Sequence, residues 1–151
     1  MNTKSDFAGP ISIARNIRCW RFGILKVFLL LWCAIASASA AEPGRVTELM
    51  TKALANVPGK EVTMITVDYP PGAQDPVHRH YASTFVYVLE GSIVMQMKGG
   101  KQVTLHPGQT FYEDPKGIHQ VGRNASDTKP AKFLVFLVKD KGAPILVPVT
   151  K

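Results

Sequence analysis

The chain has 151 residues, 18 basic against 11 acidic, for a formal net charge of +7 and a pI near 9.6. Five of the basic residues and one acid precede position 42, so the remainder carries only +3. That removes the charge argument for a nucleic-acid partner and leaves roughly 110 residues, enough for one domain with its own core.

Arg15, Arg18, Arg21 and Lys26 precede or interrupt the apolar run ILKVFLLLWCAIA, which passes into small residues ending Ala38-Ser39-Ala40. A basic region, a short apolar stretch and an A-x-A site predict a secretory signal peptide over 1–41, cleaved after Ala40 or Ala41. The protein is then periplasmic or secreted and meets the membrane only during export. The alternative, an uncleaved membrane anchor, is the weaker reading, because Ile24 to Ile35 falls short of the ~20 apolar residues a span requires. Both cysteines, Cys19 and Cys33, lie in this segment. The rest of the chain can form no disulfide and offers no thiol nucleophile.

Residues 42–59 read as an N-terminal arm or helix. The segment RVTELMTKALA has apolar residues at 46, 49, 50, 53 and 54, a helical spacing, and Pro58-Gly59 ends it. From residue 60 to 151 the pattern is short β-type runs between turn residues. The runs are 61–69, 84–89, 92–97, 102–106, 109–113, 118–122, 132–138 and 144–149. The stretch KFLVFLV reads as fully buried, and Pro144 and Pro148 push the last run to an edge. Seven or eight evenly spaced strands predict an all-β sandwich or barrel.

Only four histidines occur, and three of them form one pattern: His78-Arg79-His80, then His119. Side chains at i and i+2 of an extended segment share a face, so a third imidazole from another strand closes a metal site. His106 precedes Pro107-Gly108 and reads as a surface turn residue. Glu90 lies at the far end of its strand and is no ligand. Glu113 and Asp114 read first as a polar turn and second as acid–base candidates. Met64, Tyr87, Met95, Met97, Phe111 and Phe136 read as core or barrel wall.

The order of these pieces resembles the cupin family. Gly72-AQDPV-His78-Arg79-His80 with the closing FVYVLEG at Gly91 is similar to the first cupin motif. Gly108-QTFYE-DPKGI-His119 is similar to the second, with Asp114 in the proline position, the glycine displaced to 117, and Asn124 one residue beyond the usual asparagine. The resemblance implies a double-stranded β-helix (jelly-roll) barrel, often dimeric, so a homodimer is an allowed form. It departs at Thr84, which stands where the family usually has a metal-binding glutamate. The site is then three histidines with open positions, as in cupin-like dioxygenases acting on thiols and β-diketones. Imidazole suits iron, zinc, copper or nickel, and manganese belongs to the same list of divalent candidates. The expected function is a metal-dependent dioxygenase or isomerase acting on a small-molecule substrate. The alternative is a non-catalytic module binding a small ligand or metal. No residue is assigned as a catalytic base.

Overall fold

The computed structural model describes residues 42–149. The signal sequence read above lies outside the described residues. Ten strands run β1 (Arg45–Ala53), β2 (Lys60–Tyr69), β3 (His78–Arg79), β4 (Ala82–Glu90), β5 (Ile93–Met97), β6 (Val103–Leu105), β7 (Thr110–Glu113), β8 (Ile118–Asn124), β9 (Ala131–Asp140) and β10 (Val147–Pro148). They form two five-stranded antiparallel sheets, ordered β1-β2-β9-β4-β7 and β10-β3-β8-β5-β6. This is the all-β architecture that the spacing of the runs predicts.

The core follows the two-residue alternation of the strands. On β9, Ala131, Phe133, Val135 and Leu137 point inward, and on β4 Ala82, Thr84, Val86 and Val88 do the same. Ile93 and Met95 of β5 close the core from the other sheet. Each fully buried aliphatic side chain of this kind contributes about 1.5–3 kcal/mol. Lys139 continues the inward series of β9, and its ammonium donates to the Glu61 carboxylate on β2. That bond, together with the Gly142 N–H, holds the Glu61 carboxyl below its ordinary range.

Three expectations are corrected. Residues 45–53 form a strand and not a helix. An isolated helix this short is marginal, whereas the free edge of β2 pairs with this segment along its whole length. A bulge between Glu48 and Met50 breaks the alternation, which is why the apolar spacing imitates a helical period. The run 132–138 is buried on alternate residues only, and it reads as continuous because the outer face of its sheet is also apolar. That outer face leaves Phe85, Tyr87 and Tyr112 exposed, so Tyr87 belongs to the surface and not to the core. β10 is an edge strand, as Pro148 requires.

Turns carry the motif glycines. Gly91 adopts φ +68°, and Lys116 adopts the same angle without being glycine. Lys116 occupies the position of the family's glycine, so the displacement of glycine to 117 leaves an ordinary residue in a left-handed conformation that L-residues disfavour.

A candidate metal centre between the two sheets

The loop after β2 delivers His78 and His80 to the inside of the barrel, and β3 pairs with β8 so that His78 faces His119 across the ladder. The three rings pack edge to face, with His78 4.7 Å from His80 and 4.9 Å from His119 between centroids. All three predicted ligands are therefore brought together. His106 is elsewhere, exposed and bonded to Ser92 at 2.8 Å, as a turn residue should be. Glu90 is exposed at the end of β4, and Asp114 is exposed as well.

Glu113 of β7 joins the histidines from the opposite sheet. Its Oε2 lies 3.3 Å from His119 Nδ1 and 3.5 Å from His80 Nε2. Each of His78, His80, Glu113 and His119 offers a ligand atom, and all four atoms lie within 4.8 Å of one another. The polar-turn reading of Glu113 is thus overturned, for it is buried and faces the imidazoles. β7 pairs with β4 so that Glu113 stands directly opposite Thr84. The carboxylate that the first motif lacks is supplied one strand away on the same inward face. Sequence spacing within either motif carries no sign of this, because the two positions become neighbours only through sheet pairing.

Two backbone carbonyls set the imidazole orientations. His78 Nδ1–H donates to Pro76 O at 2.8 Å, and His80 Nδ1–H donates to Ile145 O. Both Nε2 atoms then carry lone pairs, and they face one another at 3.1 Å. Neither nitrogen of His119 has a hydrogen-bond partner among the described residues. Two lone pairs at this distance repel unless a proton or a metal ion lies between them. Burial disfavours the proton on His80 and on His119, holding both down at about 4, with the neighbouring His78 adding to the effect. Burial also raises Glu113 to about 8, and the charge of Asp75 pushes the same way. The donor set, three imidazoles and one carboxylate with fixed outer hydrogen bonds, fits a divalent transition metal.

The cluster opens into a cavity of about 180 Å³. Ile65, Val67, Val86, Met95, Phe133 and Val135 form its apolar wall. Tyr69 and Asp75 are polar lining residues that sequence reasoning does not single out. The Tyr69 hydroxyl donates to Asp75 Oδ2, and the Gly44 N–H donates to Oδ1 at 3.2 Å. Burial, followed by the Asp75 charge, raises the Tyr69 phenol well above its ordinary range. The only signal in the sequence is position: Asp75 lies between the first glycine and first histidine of its motif.

These shifts set the pH profile of the metal-free chain. His80 and His119 titrate near 6.5 unfolded and near 4 folded, so their contribution is lost as pH falls from 6.5 towards 4. Glu113 titrates near 4.5 unfolded and near 8 folded, so its contribution is lost as pH rises through 8. Two histidines outweigh one glutamate on the acid side. Chelator-treated protein is expected to be most stable near pH 6.5. At pH 5 it should lose about 1.4 kcal/mol per further unit of acid, the equivalent of one net proton. Urea denaturation across pH 4.5–8.5 measures this, and stability that rises steadily from pH 6.5 to 8.5 would contradict the buried neutral carboxyl.

Residues 65–137 match the family model described as Cupin domain, so the chain carries a cupin domain. It is 31% identical over 81 residues to the cupin-domain-containing oxidoreductase srdB of Neurospora crassa, covering 54% of this chain and 39% of that protein. The chain spans less than half the length of the curated relatives it matches. Among solved structures, the DMSP lyase DddQ of Ruegeria pomeroyi superposes with a TM-score of 0.58 at 20% identity, over 71% of this chain and 52% of that one. Oxalate oxidase in complex with the substrate analogue glycolate superposes with a TM-score of 0.53 at 26% identity, over 74% and 57%.

Proposed function

We propose that this cupin domain holds one divalent metal ion through His78, His80, His119 and Glu113, and acts with it as an oxidoreductase or isomerase on a small oxygen-bearing molecule. The observation that carries the reading is the facing pair of Nε2 lone pairs at 3.1 Å, each locked inward by a carbonyl on its Nδ1–H. A bound divalent ion supplies Lewis-acid polarisation of a substrate oxygen. The chain supplies the rest. Pro76 O and Ile145 O orient two of the imidazoles, and Glu113 adds a negative charge to an otherwise neutral set of ligands. The apolar wall leaves room for a compact molecule with its oxygens towards the cluster.

Two of the relatives support the oxidoreductase reading, while the DMSP lyase shares the fold alone. The Neurospora protein is named an oxidoreductase, and the oxalate oxidase is described with glycolate, a small hydroxy acid. A small carboxylate or hydroxy acid of that size suits a 180 Å³ cavity. Metal analysis of protein purified without chelator tests the reading, with His80→Ala alongside. One divalent ion per wild-type chain, absent from the variant, is the expected result. A wild type that carries no metal and takes none up would end the proposal.

A further inference from the structure

We propose that Thr84 is a positioning residue for this centre, its hydroxyl donating to Glu113 Oε1 once the other carboxylate oxygen is engaged by a divalent ion. The inference rests on the metal reading above. Thr84 is fully buried, and among the described residues its Oγ1 has no hydrogen-bond partner. A buried donor without a partner opposes folding, and valine, of nearly the same shape, would not carry that penalty. The hydroxyl is therefore of use to a state of the site other than the metal-free one.

The ladder identifies its partner. On the inward face, the positions next to Thr84 are Ala82 and Val86 along β4, Leu137 across β9 and Glu113 across β7. Three of these four are apolar, and Glu113 alone can accept a hydrogen bond. Directly opposed side chains in an antiparallel pair have Cβ atoms ~4.5–5.5 Å apart, within reach of a hydroxyl and a carboxylate after a small rotation. Glu113 Oε2 already faces His80 and His119, which leaves Oε1 for the strand behind it. A hydrogen bond there would hold the carboxylate in one orientation, as outer contacts of metal ligands commonly do.

Full-length Thr84→Val and Thr84→Ser test this against wild type with Co²⁺ as the probe, by titration and by thermal melting with and without chelator. Thr84→Val is expected to raise the Co²⁺ dissociation constant by about 10–100-fold. The same variant should melt ~5 °C higher than wild type when metal-free, since it removes an unpaired buried hydroxyl. Thr84→Ser keeps the donor and is expected to bind Co²⁺ close to wild type. The opposite signs of the two valine effects distinguish positioning from packing. Wild-type Co²⁺ affinity in Thr84→Val, loss of affinity in Thr84→Ser equal to that in valine, or a lower metal-free melting point for valine would each overturn the inference. A wild type that binds no Co²⁺ would instead overturn the metal reading, and this inference with it.

Discussion

Glu113→Gln is expected to weaken divalent-metal binding by at least about a hundredfold, equivalent to roughly 2.8 kcal/mol. The amide keeps the shape and burial of the side chain but removes the one anionic donor among three neutral imidazoles. A second signature follows from proton linkage. Metal can bind only the deprotonated carboxylate, and burial keeps the Glu113 proton on up to about pH 8. His80 and His119 are already neutral above pH 4–5, because burial depresses them. Between pH 5 and 7 Glu113 should therefore contribute about one released proton per ion bound, equivalent to about a tenfold rise in affinity per pH unit. Glu113→Gln should bind weakly, with a slope lower than that of the wild type by about one proton per ion. Metal titrations at pH 5, 6 and 7 read both effects. Equal slopes in wild type and variant would remove Glu113 from the ligand set.

Gly91→Ala is expected to be the most damaging single methyl addition in the domain. Gly91 sits at φ +68°, which disfavours any L-residue by about 1–2 kcal/mol. A Cβ there would stand 2.4 Å from Pro130 O and 2.8 Å from Ala131, both in backbone or near-backbone positions that cannot swing aside. Strain and forced displacement together come to about 3 kcal/mol or more. For a domain of this size that lowers the melting temperature by roughly 10–25 °C. Gly99→Ala is the matching control, with φ +82° but nothing within 4 Å of its Cβ. It should show only the conformational part, about 1–2 kcal/mol. Equal losses in the two variants, measured by thermal melting, would show that the approach of Pro130 is no constraint.

The fold is largely legible in the amino-acid sequence, for reasons that are local. Turn residues between β-branched runs mark where strands stop, and the period of two along a run decides which residues face inward. Gly91 closes the first motif because the chain reverses there against Pro130, a demand that only glycine meets. Local periodicity also misleads at β1. The bulge in β1 makes a strand look helical, and only the free edge of β2 settles which conformation forms. The outer face of the first sheet misleads in the same way. An exposed Tyr87 and a buried Val86 are equally apolar in a sequence, and the side each one faces is a property of the sheet.

The centre divides along the same line. His78, His80 and His119 are identifiable from sequence because two share a short extended segment and the third ends a motif of recognisable spacing. The missing carboxylate at Thr84 is visible too, but not what replaces it. Glu113 lies far along the chain from Thr84, and nothing in its local pattern separates a buried ligand from a polar turn. The β4–β7 ladder places it opposite Thr84, and the barrel then buries it against the imidazoles. The sequence by itself determined an all-β domain with a three-histidine cluster. Tertiary structure decided that the cluster includes a carboxylate, because pairing between strands, unlike spacing along one, brings together residues that the chain keeps apart.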